Sequence, residues 1–494
     1  MTSSPTRIRG ITVIGSKSIS SLLSAIVVCS ITFIVGCSAA PNATGTPSPT
    51  PTPTPTSVNE WTWMGGSDAV NNATGVYGSL GVASASNIPS PRSTAMNWTD
   101  ASGNLWLFGG MGTNGVMNDL WEFNPSTKQW TWVGGSSTAD SAAVYGSKGV
   151  AAAANVPSAR TNGVSWVDAK GNLWLFGGSG QSINTSNLND LWEFSTATKQ
   201  WTWIGGDSTV DAKGVYGTQG VAATGNVPGA RLYSVGWTDT GGNLWLFGGE
   251  GFDSTGAWGS LNDLWEFNPT TQQWTWVGGS TTVNASAVYG SQGVAASTNV
   301  PGSRSGSVSW TDASSNLWLF GGTSAKGFTS DLNDLWEFNI STKEWVWVSG
   351  SNTSGQVVAG DYGTKGVAAA GNVPGSRCWS TSWTDTSGNL WLFGGQGYDS
   401  TGTVNGNLND LWKFNISTKQ WTWVSGSNTI PSGKEGQPGV YGTLGVASAT
   451  NAPGGKVSAV TWVDTSGNVW LFGGDTFDSV GNDGALNDLW QYQP

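Results

Sequence analysis

The sequence predicts an all-β protein in which six four-stranded units close into a ring, a six-bladed β-propeller. Three observations predict it. First, the 494 residues include 73 Gly and 32 Trp but only 10% charged residues. Such a composition suits short strands and many turns; it excludes a coiled coil and, lacking a Gly-X-Y period, a collagen. Second, the phrase Asn-Leu-Trp-Leu-Phe-Gly-Gly recurs at 104–110, 172–178, 243–249, 316–322 and 389–395, with Val469 for Leu in a sixth copy at 468–474. Asn-Asp-Leu-Trp follows each copy, ending on Trp121, Trp192, Trp265, Trp336, Trp412 and Trp490, and five copies then run Thr-x-x-Trp-x-Trp. Third, the last copy stops at Gln491-Tyr492-Gln493-Pro494, and the strand it lacks stands ahead of the first copy as Glu60-Trp61-Thr62-Trp63-Met64. An N-terminal strand closing the last blade leaves no free sheet edge.

The second copy illustrates the four strands. Strand a is Val164-Ser165-Trp166, and Asp168–Gly171 turns into strand b, Leu173–Phe176, which the Gly-Gly pair is expected to end. Strand c is Asp190–Phe194 and strand d is Gln200–Ile204. Each is rich in β-branched and aromatic residues and bounded by turn formers. One such sheet cannot cover both its faces, so the copies must pack in a circle. Asp100, Asp168, Asp239, Asp312, Asp385 and Asp464 open the a–b turns, where a side-chain acceptor is needed, and are read as structural. Thirty of the 32 Trp follow the repeat; Trp258 and Trp379 break it.

Residues 1–36 read as an export signal: Arg7, Arg9 and Lys17 precede the apolar stretch Leu22–Val35, whose 14 residues are too few for a comfortable membrane span. Ile34-Val35-Gly36-Cys37 resembles the lipobox of bacterial lipoproteins. The resemblance implies that Cys37 is lipidated and becomes the mature N-terminus, anchoring the protein at the bacterial cell surface or periplasmic face. Loss of the three leader cations changes the net charge from −11 to −14. Residues 37–58 carry Pro41, Pro47, Pro49, Pro51, Pro53 and Pro55 and read as an extended polyproline spacer. Residues 59–494 are left for the propeller. Its single cysteine, Cys378, excludes an intramolecular disulfide and reads as a buried apolar residue.

The strand ending in Gly-Gly, the Asn-Asp-Leu-Trp-Glu-Phe-Asn strand, the Thr-x-x-Trp turn and a Pro-x-x-Arg before strand a, as in Pro157–Arg160, together resemble the kelch family over residues 60–494. The resemblance implies propeller blades that carry binding loops. The period departs from it: kelch units run about 50 residues, whereas the Gly-Gly pairs here stand 68 to 79 residues apart. The excess lies between strand d and the next strand a, in inserts holding Val-Tyr-Gly and usually Gly-Val-Ala; Asp361 replaces the first Val in the fifth. Galactose oxidase is similar in its blades alone. Its copper site needs His, and this chain has none; a Ser-His-Asp triad and a His-ligated metal fall with it. The sialidase Asp-box is missed by one residue in 99–106. No cofactor or metal is expected, and the acidic net charge argues against nucleic acid.

The six copies differ in one place. The a-to-b Trp spacing is always 8 and the measurable c-to-d spacing always 9, but the step from Gly-Gly to Asn-Asp varies from 8 to 14. Variation therefore gathers on the face of the b–c and d–a loops, the candidate binding face. There, Arg92, Arg160, Arg231, Arg304, Arg377 and Lys456 offer a basic ring for an anionic ligand, or else pair within the blades. The aromatics Phe252, Trp258, Phe328, Trp379, Tyr398 and Phe477 offer stacking surfaces. Asp253, Asp399 and Asp478 in the same loops admit a calcium reading. The expectation is a monomeric, membrane-anchored module that binds a protein, peptide or glycan. The alternatives are a carbohydrate-active enzyme working through carboxylates, and a purely structural envelope protein.

Overall fold

The computed structural model describes residues 58–70, 74–180, 186–325, 330–353 and 358–494. The leader, Cys37, the Pro-rich segment up to residue 57 and Phe328 lie outside the described residues. Every helix-or-strand element within them is a strand. The third blade shows the plan. Strand a (Val235–Thr238) pairs antiparallel with b (Leu244–Phe252), b with c (Trp258–Asn268), and c with d (Gln273–Gly278). Five other blades repeat it, and a small three-stranded sheet extends the sixth.

The strands lack a polar face because each blade is covered on both sides. Leu244, Trp245, Leu246 and Phe247 are all buried. With period two, Leu244 and Leu246 face the second blade, whereas Trp245 and Phe247 face the fourth. Six apolar clusters result, one at each seam, including the seam where Leu105, Leu107 and Trp121 of the first blade meet Trp462, Trp470 and Phe472 of the sixth. The strand-a Trp indoles stitch the seams by donating to the strand-b Trp carbonyl of the next blade. Trp98 reaches Trp174 at 2.9 Å, and Trp462 crosses the closing seam to Trp106 at 3.0 Å. The fifth blade departs from this: Trp383 stacks on Trp391 instead, with centroids 5.7 Å apart.

Closure uses the N-terminal strand. Glu60–Gly65 lies antiparallel to Leu489–Gln493, with Trp61 opposite Tyr492 and Trp63 opposite Trp490, as strand d of the sixth blade.

In the first five blades the Gly-Gly pair does not end strand b; in the sixth the strand stops at Phe472, as expected. In the second blade the strand runs Leu173–Ser179, straight through Gly177 and Gly178, with a register shift between Phe176 and Gly178. The glycines are needed for a close approach between blades. A Cβ on Gly177, at φ +64°, would stand 2.9 Å from the Arg231 carbonyl oxygen of the next blade.

The inserts that lengthen the repeat cover the outer edge. Gly81 N–H donates to the Trp132 carbonyl at 2.8 Å, and the Asn87 amide donates to the Trp130 carbonyl at 3.0 Å, so strand d of the first blade is not left open. The other five inserts repeat these bonds.

Candidate functional site

The six cations face inward: of the two readings the sequence leaves open, pairing within the blades holds, and their candidacy as ligand-binding residues is corrected. Arg231 donates through Nη1 and Nη2 to the two Asp263 oxygens, each at 2.7 Å, through Nη1 to the Gly248 carbonyl at 3.1 Å, and through Nε to the Gly229 carbonyl at 3.0 Å. Asp263 Oδ2 also accepts the Tyr216 hydroxyl at 2.6 Å and the Trp265 indole N–H at 2.7 Å. The same unit recurs as Arg92–Asp119–Tyr77, Arg160–Asp190–Tyr145, Arg304–Asp334–Tyr289 and Arg377–Asp410–Tyr362, and as Lys456–Asp488–Tyr441. None of the six cations is more than 1% exposed. Burial lowers the Arg231 pKa, the Asp263 carboxylate more than offsets it, and the net shift is upward. For Lys456 burial outweighs Asp488 and the shift is downward. These groups tie the insert, the lead-in to strand a and strand c together, with every cation buried against its carboxylate.

The loop carboxylates are equally occupied. Asp253 is buried and accepts from Thr255 N–H, Thr255 Oγ1, Ala257 N–H and Val283 N–H at 2.7–3.1 Å. Burial alone raises its pKa, but these bonds hold it below the usual carboxylate value. Asp399 and Asp478 are built into similar turns, and Asp100 and its five counterparts cap the a–b turns. These bonds give the loop Asp residues a turn-forming role. Among the described residues no group of three or more Cys, Asp and Glu is placed to hold a metal ion.

The aromatics divide. Phe477 is buried against Gly436 and is packing. Phe252 and Trp258 meet edge to face, 5.1 Å apart, on the long b–c hairpin of the third blade, with Trp258 39% exposed. Half-buried Tyr398 stands opposite Asn405 on the equivalent hairpin of the fifth blade. Trp379 belongs to a different feature.

Two residues beyond each cation the chain enters the left-handed region, at Thr94, Asn162, Tyr233, Gly306, Trp379 and Ser458, with φ between 52° and 65°. Their backbones form one closed circle. Thr94 N–H donates to Ser458 O, Asn162 to Thr94, Tyr233 to Asn162, Gly306 to Tyr233, Trp379 to Gly306 and Ser458 to Trp379, at 2.8–3.1 Å. The circle surrounds the b–c/d–a end of the channel that the strands a enclose. Tyr and Trp rarely adopt this conformation, and the circle holds them there against the strain.

A second tier backs the circle. The residues after Gly-Gly are Met111, Ser179, Glu250, Thr323, Gln396 and Asp475, in register with Ser93, Thr161, Leu232, Ser305, Cys378 and Val457. Buried Cys378 has its thiol pKa raised by burial and by Asp331.

The two large rings of the circle touch. Half-buried Tyr233 and Trp379 have centroids 5.7 Å apart at 48°. Trp379 spans the fourth blade to get there, and only glycine permits it: a Cβ on Gly306 would lie 2.6 Å from Trp379 Nε1. Glu250 sits beside this pair, with Ser305 Oγ 3.4 Å from its Oε1. Burial raises the Glu250 pKa against the Ser305 hydroxyl. Burial raises the Tyr233 pKa, Glu250 adds to it, and the Asn162 side chain opposes. Exposed Asp475 stands on the far side of Trp379, next to the sixth blade's Ser458. Below the circle lies a cavity of about 420 Å³ whose lining includes Asn97, Ser165, Gly236, Thr238, Ser309 and Thr311 and no charged side chain.

A family model for the KLHDC2/KLHL20/DRC7 Kelch-repeats domain matches residues 289–443, which contain the fourth and fifth blades. The fold is a kelch-type β-propeller. No curated protein matches the chain.

Within this kelch-type ring, the residues that sequence reasoning passed over are Tyr233, Glu250 and Asp475. One signal could have found them. Aligning the six copies on the cation and on Gly-Gly isolates two columns, Thr/Asn/Tyr/Gly/Trp/Ser and Met/Ser/Glu/Thr/Gln/Asp, in which no residue occurs twice.

Proposed function

We propose that this kelch-type propeller is an interaction module, held at a bacterial membrane through lipid on Cys37, that binds a protein partner with the channel mouth on its b–c/d–a face. The observation that carries the reading is the circle itself: six equivalent backbone positions carry six different residues around one opening. A repeated scaffold whose side chains vary around one rim has the arrangement of a recognition surface. Kelch repeats generally mediate protein–protein interaction, which supports a protein partner. Large aromatic rings at the centre of such a surface are the usual anchors of an interface.

Panning a random peptide-display library against the full chain in detergent tests this. Recovered peptides should bind the wild type and be lost from the double variant Tyr233→Asn/Trp379→Asn, whose melting temperature stays close to wild type because Asn tolerates the left-handed backbone. Peptides that bind both proteins alike would place recognition elsewhere.

A further inference from the structure

We infer that the mouth takes a cation, an arginine side chain of a basic peptide, laid on the Tyr233–Trp379 pair and held by Glu250. The inference rests on the interaction-module reading and names its ligand chemistry. The sign of charge decides first. The six cations expected to attract an anion are buried against six carboxylates. In the two tiers that form the mouth, the carboxylic side chains are Glu250 and Asp475, one on each side of the aromatic pair. The chain as a whole carries −11. A positive ligand meets a favourable field on approach and at the site.

Shape decides next. Tyr233 and Trp379 are neighbouring rings held in place by the backbone circle, so they lose little freedom on binding. A guanidinium is planar and weakly hydrated, stacks on an aromatic face, and offers paired N–H donors to a carboxylate at its edge; an ammonium does the first and last of these poorly. Gly306 belongs to the same device. Any side chain there would push Trp379 away from Tyr233 and open the platform. The uncharged channel beneath adds no cation to compete.

Titration calorimetry of the full chain in detergent with blocked Gly-Arg-Gly, Gly-citrulline-Gly and Gly-Lys-Gly tripeptides tests the inference. The arginine peptide should bind, with the citrulline peptide, of the same shape but uncharged, about tenfold weaker. Glu250→Gln should lower the arginine affinity about tenfold and leave the melting temperature and the citrulline binding unchanged. Equal binding of arginine and citrulline, tighter binding of lysine, no arginine binding at millimolar peptide, or an unaffected Glu250→Gln would each overturn it. The library experiment separates the two levels. Mouth-dependent peptides without arginine sink this inference and leave the interaction module standing; the absence of any mouth-dependent peptide sinks the module itself.

Discussion

At the scale of the residue, the Arg–Asp–Tyr–Trp unit shows why repetition in a sequence marks structure before function. A buried guanidinium is tolerable only when it is paired and hydrogen-bonded, and Arg231 makes four hydrogen bonds to Asp263, Gly248 and Gly229. Arg231→Ala should therefore cost about 3–5 kcal/mol by stranding the Asp263 carboxylate, read as a lower denaturation midpoint. Replacing both partners by apolar residues should cost much less. The tyrosines of these units supply a pH test. In all six the folded-state pKa lies above the ordinary 10.0, raised by burial and then by the Asp carboxylate. Above pH 10 the unfolded chain gives up protons that the native chain keeps, so stability is full below pH 10 and falls as pH rises further. A melting-temperature series should be flat to about pH 9 and then drop, less steeply in Tyr216→Phe. Equal slopes in the two proteins would show that the buried hydroxyls are not responsible.

At the scale of the element, strands and turns were legible because each is written locally. Trp-rich runs bounded by turn residues gave four strands per copy, and Asp168 caps its own turn through residues within six positions. The end of strand b was misread because glycine is a strand breaker by local propensity, whereas Gly177 and Gly178 answer to the carbonyl of another blade. The inserts, excess length in the sequence, proved to be edge covers for strand d. The N-terminal strand is the element on which the ring depends most, since it is the only strand d supplied by a distant segment. Removing Glu60–Met64 should lower the melting temperature of the entire propeller in one transition; an unchanged value would mean that the sixth blade holds without its outer strand.

At the scale of the whole molecule, the apolar clusters lie between blades rather than within them, so no blade is stable without its neighbours. The leader and spacer ahead of this ring account for its proposed place at a membrane. Radiolabelled palmitate fed to expressing cells should label the wild type and not Cys37→Ala, and equal labelling of both would remove the anchor.

The sequence by itself determined the class, the number of blades, the order of the strands and the closing strand, because these follow from local periodicity copied six times. It also removed His chemistry outright. Only the tertiary structure decided which side chains are available. Each Arg finds its Asp 27 to 33 residues further on, which withdraws it from the mouth. Tyr233 and Trp379, in the third and fifth blades, touch only because the packed blades bend six separate left-handed positions into one circle and Gly306 leaves room between them. Contacts of that kind depend on how blades pack against one another, and no local pattern records them.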